Sequence, residues 1–169
     1  MRPDNPLLTV GYLLQTQFDL TRLNVLMQAN PEIVTALGFT PSSSTIHFVG
    51  VSLGGIIGSN LAASGTYPAN RYALNVAGGD LSDIILNGYF GDQIRATVAK
   101  SEGYDTSKMS GQFALNSTLL GLDLLVTHTV NASGVDPLIT GSRSLPVSNV
   151  LLQEMKGDPV IPNNNTELL

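Results

Sequence analysis

The sequence has no cysteine and few charged residues. Without cysteine among its 169 residues, it has no disulfide framework, no thiolate chemistry and no cysteine-ligated zinc site. Charged residues make up 12% of the chain, against ~25% in typical soluble domains. The net charge is −5 and no run of lysine or arginine occurs, which argues against binding to nucleic acid or to an anionic membrane surface.

Histidine and long apolar runs are also scarce. The two histidines, His47 and His128, lie 81 residues apart and do not form a metal site by themselves. The most apolar stretch, residues 113–126, is 14 residues long and contains Asp123, whereas a membrane span needs about 20 apolar residues. No basic segment followed by an apolar core opens the chain. The sequence therefore predicts no transmembrane helix, no signal peptide, no metal and no organic cofactor.

What remains is an apolar chain of the size of one domain, which we take as residues 1–169. Apolar residues make up 43% of it, which excludes wholesale disorder. Residues 46–49 and 71–77 are rich in β-branched and aromatic residues, and residues 53–63 between them have a helical pattern. Strand, helix and strand within about 30 residues are typical of a βαβ unit. This pattern predicts the α/β class, with a mainly parallel sheet and right-handed crossovers.

A helical insertion is predicted between the second strand and a third strand at 147–155. It covers about residues 79–146, far longer than most α/β connections, and is typical of a cap or lid. Its last helix, at 110–130, is apolar nearly all round. This pattern fits either a buried helix or a cap face that lines an apolar pocket or meets lipid. Further helices are predicted at 31–37, 80–86 and 92–100, and residues 6–27 are predicted to form one helix or a pair of helices, with Gly11 as a weak point.

Residues 50–55 contain the pattern G-x-S-x-G around Ser52. A strand precedes the serine and a helix follows it, the context in which such a serine sits on a sharp turn with its hydroxyl exposed. Gly50 and Gly54 are expected to remove side chains where strand and helix come closest. The N–H of Leu53, at the start of the helix, is placed to bind a developing oxyanion. The alternative is a glycine-rich turn that holds a serine by chance.

The segment IHFVGVSLGGIIGSNL at 46–61 resembles the nucleophile elbow of α/β-hydrolases. More narrowly, it resembles bacterial extracellular lipases of the virulence-factor type, a group that includes surface lysophospholipases. The segments NVAGGD at 75–80 and LLQEMKGDPVIPNN at 151–164 are similar to that family too. One departure is Val51, where lipases commonly have histidine.

The resemblance implies a partial α/β-hydrolase fold and a serine ester hydrolase, a lipase or esterase that acts through an acyl-enzyme on apolar carboxylic esters. It also implies that the full-length protein is secreted or at the bacterial surface. The family's chain order is nucleophile, acid, histidine. That order assigns the acid to Asp158, just past the third strand, with Asp80 as runner-up. A solvated turn aspartate is the alternative interpretation of Asp158.

The base is missing from this pattern, because no histidine follows Asp158. His47, on the strand before the elbow, is expected to pack there. His128 reaches Ser52 only if its helix folds over the elbow. The chain is therefore expected to be an internal fragment of a longer lipase that is nearly inactive by itself.

Partners follow from the same pattern. We expect a small-molecule or lipid ester substrate, no nucleic acid, and contact with a lipid interface through the cap. A sheet of three strands with open edges also favours a homo-oligomer that covers them. The alternative function is a non-catalytic α/β-hydrolase-like module that binds lipid or a protein partner.

Overall fold

The fold combines helices with a small parallel sheet. A computed structural model describes residues 6–39, 46–65, 69–137 and 148–169. Seven helices and three strands lie within these ranges. The helices are α1 (Pro6–Ala29), α2 (Pro31–Ala36), α3 (Leu53–Ser64), α4 (Leu81–Asn87), α5 (Gly91–Ser101), α6 (Met109–Ser133) and α7 (Asn163–Glu167). The strands are β1 (His47–Val51), β2 (Arg71–Asn75) and β3 (Val150–Gln153).

The three strands are parallel and lie in the order β1-β2-β3, as the βαβ pattern predicts. In this register Val49, Ala73 and Leu151 lie side by side across the sheet. β2 ends at Asn75, earlier than predicted, because the chain turns at Val76 with a φ of 44°. The sheet is therefore short, and all three carboxyl ends meet at one edge.

Helix α3 packs closely on the sheet because small residues face it. A Cβ on Gly55 would lie 2.9 Å from the Cβ of Ala77, and one on Gly58 would lie 2.6 Å from Cδ2 of Leu74. The helix ends at Gly65 with a φ of +63°, a conformation that glycine adopts without steric cost. The hydrophobic core lies around this contact. It includes the buried residues Val10, Leu13, Ile56, Ile57, Leu61, Leu74, Val126, Val130 and Ile161.

Helices α4, α5 and α6 form the described part of the predicted insertion, and residues 138–147 lie outside the described ranges. α6 packs against α1, α4 and α5 and buries Leu119, Val126 and Val130. Its opposite side is exposed, so the interpretation of a buried helix is wrong. By length and composition alone, Met109–Val130 is long and apolar enough to cross a membrane. The apolar segment is therefore longer than the 14 residues from which the sequence predicts no transmembrane helix, and that prediction stays a prediction.

The first two helices begin as predicted, with one difference at their junction. α1 continues through Gly11 without a break. Pro31 is the first residue of α2, as the sequence predicts, and Gly38 follows the helix with a φ of +82°. The side chain of Asn30 does not cap α2; its amide donates to the carbonyl oxygen of Leu26 instead. The predicted cap Asn5 and the predicted loop at 41–44 lie outside the described residues.

Candidate active site

Ser52 occupies the turn between β1 and α3. Its φ of 53° and ψ of −119° lie in a region that residues other than glycine rarely adopt. The Ser52 N–H donates to the carbonyl oxygen of Asn75 at 3.0 Å, and its carbonyl accepts from the N–H of Ile56 at 3.0 Å. No hydrogen bond joins the Ser52 hydroxyl to any described residue. The backbone is thus fixed on both sides of a half-buried serine.

The glycines around Ser52 do not all have the predicted role. A Cβ on Gly50 would collide with the backbone carbonyl of Gly54, so the close approach at Gly50 is confirmed. A Cβ on Gly54 would meet nothing within 4 Å. The expectation for Gly54 is therefore wrong, because this position of α3 points into open space. Gly55 and Gly58 are the glycines of α3 that lie against the sheet.

The N–H of Leu53 lies beside the serine at the start of α3. As the first residue of a helix of 12 residues, Leu53 has no intrahelical acceptor for its N–H. No other described group accepts it. This N–H points from the positive end of the helix dipole, a geometry that stabilises negative charge.

Asp158 lies beyond the end of β3, at the same edge of the sheet as Ser52. Because β2 lies between β1 and β3, the strands that lead to these two residues are about 10 Å apart. Asp158 is 9% exposed, so the interpretation of a solvated turn aspartate is wrong. Its Oδ1 accepts the N–H groups of Val160 at 2.8 Å and Ile161 at 3.2 Å. Its Oδ2 accepts no hydrogen bond from a described residue.

The chain after Asp158 is tied to the segment that follows β2. The Asn165 amide donates to the carbonyl oxygen of Gly79 at 3.1 Å, and the Thr166 hydroxyl donates to that of Ala77 at 2.6 Å. Both side chains are buried. These bonds fix the acid-bearing loop to the carboxyl end of the sheet.

Asp80, the runner-up acid, serves α4 instead. Its Oδ1 accepts from the Ser82 hydroxyl at 2.8 Å and from the N–H of Asp83 at 3.2 Å, so it caps the helix. The N–H groups of Asp80 and Leu81 in turn donate to the two carboxylate oxygens of Asp136, both at 2.9 Å. Sequence reasoning missed Asp136, whose only local signal is the Asp-Pro pair after α6.

Neither histidine is bound to the elbow. His47 begins β1, about 16 Å along the strand from Ser52, and it is exposed rather than packed as expected. His128 is exposed on α6. No hydrogen bond joins either histidine to Ser52 or Asp158. Within the described residues, neither histidine is therefore in contact with Ser52 or Asp158.

A cleft of about 210 Å³ lies where α4 meets α6. It is lined by Asp80, Ser82, Asp83, Asn87, Asp123, Thr127 and Asp136. Within the described part of the chain, no group of three or more histidines or carboxylates is arranged to hold a metal ion. The lining is acidic, so this cleft does not suit an acyl chain.

Comparison of the chain with protein-family models, with curated proteins and with solved structures found no match. The proposed function therefore depends on the geometry of the turn at Ser52, the loop that carries Asp158 and helices α4–α6, together with the sequence resemblance.

Proposed function

We propose that this chain carries the nucleophile and the acid of a serine ester hydrolase, a lipase or esterase, on part of an α/β-hydrolase fold. The observation that carries the proposal is the backbone of Ser52, whose φ of 53° places a serine with a free hydroxyl at a strand-to-helix turn. Such strain costs about 1–3 kcal/mol and clusters at functional sites. Val76 and Asp80 also have positive φ values, of 44° and 56°, and Ser52 differs from them in joining this backbone to a hydroxyl without a described hydrogen-bond partner at the start of a 12-residue helix.

The proposed reaction is acyl transfer in two steps. Oγ of Ser52 attacks the ester carbonyl carbon while a base takes the hydroxyl proton, and the N–H of Leu53 donates to the oxyanion that forms. The bond to the leaving alkoxide breaks, and the alkoxide takes the proton from the base. Water then attacks the acyl-enzyme with help from the same base and releases the carboxylic acid. Asp158 orients that base through its Oδ2.

The base is proposed to be a histidine supplied by polypeptide outside these 169 residues. Its place would be between Ser52 and Asp158, above the carboxyl end of β2. Loss of the base lowers the rate by about 10⁴-fold, which corresponds to about 5.5 kcal/mol of transition-state stabilisation. The isolated chain is thus expected to be nearly inactive on esters.

Apolar carboxylic esters are the proposed substrates. Leu53, next to the nucleophile, is 40% exposed and offers an apolar contact at the elbow. The acidic cleft and the net charge of −5 disfavour anionic substrates by charge repulsion. A secreted or surface location of the whole protein, implied by the family, is part of this proposal.

Added imidazole tests the proposal, because it supplies the missing base from solution. Hydrolysis of p-nitrophenyl butyrate is measured with and without imidazole for the unmodified protein and for Ser52→Ala. We expect an imidazole-dependent rate that exceeds the rate of S52A under the same conditions. Equal imidazole-dependent rates in the two proteins would contradict the proposal. A robust rate without imidazole that His128→Ala abolishes would make His128 the base.

A lipid-binding module is the second candidate, favoured by the exposed side of α6. The α6 stripe, which we define as Met109, Phe113, Leu120 and Leu124, is at least 60% exposed at every position. At 100° per residue these four side chains lie within about 60° of one another, over about 22 Å of helix. The single charged residue of α6 is Asp123, so the stripe suits a neutral lipid surface better than a charged one.

Flotation with phosphatidylcholine vesicles tests this second function. We expect the protein to float with the vesicles and Phe113→Ser to reduce the floated fraction several-fold, since it removes apolar area from the stripe. Phe18→Ser on α1, at a similarly exposed aromatic residue, is the matched control. Absence of flotation, or equal losses in the two variants, would exclude binding through α6.

A further inference from the structure

Three consecutive asparagines follow the loop at 154–162, which carries Asp158, and each has a different environment. Asn163, the first residue of α7, is half-buried, Asn164 is exposed and Asn165 is buried. The Asn165 side chain bonds to the chain after β2. The Asn164 side chain makes no hydrogen bond with a described residue. The Asn163 side chain, by contrast, bonds back to the loop itself.

The carboxamide of Asn163 makes two hydrogen bonds with the turn before Asp158. Its Oδ1 accepts the N–H of Gly157 at 2.8 Å, and its Nδ2 donates to the carbonyl oxygen of Met155 at 3.0 Å. That carbonyl oxygen also accepts the N–H of Asp158, at 3.1 Å. A carbonyl oxygen has two lone pairs and accepts both donors. Asn163 is therefore joined to the backbone of the acid through one shared acceptor.

The two bonds hold the side of the loop that the carboxylate does not hold. Oδ1 of Asp158 accepts two N–H groups of the chain that follows it. On the preceding side, Gly157 has a φ of +74°, a conformation that favours glycine. Among the described side chains, only that of Asn163 bonds to residues 154–157. The direction of the Asp158 carboxylate thus depends on Asn163 as well as on its own hydrogen bonds.

We propose that Asn163 is a positioning residue for Asp158. By holding the turn at 155–158, it fixes the direction in which the carboxylate presents Oδ2 to the base. The inference rests on the proposed function, in which Asp158 orients that base, and it gives Asn163 no role at the reacting atoms. A misplacement of about 1 Å lowers a rate by up to about 10²-fold, so the loss of two hydrogen bonds at this turn is enough to slow the reaction.

Asn163→Ala, compared with Asn164→Ala, tests the proposal through the imidazole-dependent hydrolysis of p-nitrophenyl butyrate. N163A loses both hydrogen bonds, and we expect its imidazole-dependent rate to fall by about threefold to tenfold, the effect of about one net hydrogen bond. Its rate without imidazole should stay unchanged, and N164A should keep both rates. Equal imidazole-dependent rates of N163A and N164A would overturn the proposal.

Asp158→Asn separates a positioning role from a role in folding alone. A positioning residue acts through the carboxylate, so N163A should not lower the imidazole-dependent rate further when D158N is already present. A loss of folded protein would instead lower the rate by the same factor with and without D158N. That additive result would overturn the proposal.

Amide hydrogen exchange measures the Asn163 bonds without any reaction. We expect the Gly157 N–H, which loses its acceptor, to exchange about threefold to tenfold faster in N163A than in N164A. Unchanged exchange at Gly157 would overturn the proposal. The proposed function has its own point of failure, equal imidazole-dependent rates in the unmodified protein and S52A. In that case the positioning role falls with it, whereas the exchange difference at Gly157 remains.

Discussion

At the scale of single residues, the strand-to-helix turn at Ser52 depends on which neighbouring positions have room for a side chain. Gly50 has no room for a methyl group, whereas Gly54, four residues further on, has open space around its Cα. Ser52 keeps a side chain at a φ where glycine would be relaxed. The three positions have different physical requirements, and substitutions distinguish them.

Gly50→Ala and Gly54→Ala form the first matched pair. In G50A the new methyl group meets the backbone carbonyl of Gly54, so we expect the free energy of unfolding to fall by about 2–3 kcal/mol. In G54A the methyl group is free and alanine favours the helix, so the free energy of unfolding should rise by up to about 1 kcal/mol. Urea unfolding measures both. Equal stability of the two variants would contradict the close approach at Gly50.

Ser52→Gly tests the backbone strain. Glycine adopts positive φ without steric cost, so we expect S52G to raise the free energy of unfolding by about 1 kcal/mol. Ser52→Ala keeps the strained backbone and removes a hydroxyl that makes no hydrogen bond with a described residue, so its stability should stay close to that of the unmodified protein. If S52A and S52G unfolded at the same urea concentration, the strain at Ser52 would be refuted.

At the scale of the elements, the α4–α6 insertion is joined to the end of β2 through a buried carboxylate. Asp136, 3% exposed, follows α6 and accepts both N–H groups at the start of α4. The start of α4 also follows β2 by a few residues. Asp136 therefore helps to hold the insertion above the sheet edge, together with the amides of Asn60, which donates to the carbonyl oxygen of Val135 at 2.7 Å, and Asn165, which donates to Oδ2 of Asp83 at 3.1 Å.

Removal of the Asp136 carboxylate should loosen that junction. In Asp136→Ala the N–H groups of Asp80 and Leu81 lose their acceptors, and we expect the free energy of unfolding to fall by about 2–4 kcal/mol. Asp123→Ala is the control in the same cleft, since Asp123 is half-buried and its contact with Thr127 is long, at 3.4 Å. Thermal unfolding that gives D136A and D123A equal midpoints would contradict the role of Asp136.

The sequence predicted those elements whose signals are local. Helix α3 and strand β1 are found close to their predicted bounds, because glycine, β-branched residues and apolar spacing act within a few residues. The exposure of α6 was not predictable, since an apolar pattern all round fits a buried and an unpartnered helix equally well. The role of Asp136 was also hidden, because its hydrogen bonds join residues 55 and 56 positions apart.

At the scale of the whole molecule, a parallel sheet brings the candidate residues to one edge. Ser52 follows β1 and Asp158 follows β3, so parallel strands place both at the carboxyl end, as the sequence predicted. Among the described residues, the same topology leaves Val49, Val51 and Leu151 exposed on one face of the sheet and brings neither histidine to Ser52. Neither feature follows from local sequence, because both depend on what surrounds the sheet.

The central claim is that Ser52 is a nucleophile that lacks only its base, and labelling with a fluorophosphonate tests it most directly. The protein is incubated with the probe with and without imidazole, and the modified residue is identified by peptide mass spectrometry. The account predicts labelling of Ser52 alone among the serines, faster with imidazole and slower in Asp158→Asn. Labelling spread over several serines, or no labelling of Ser52 at any imidazole concentration, would contradict it.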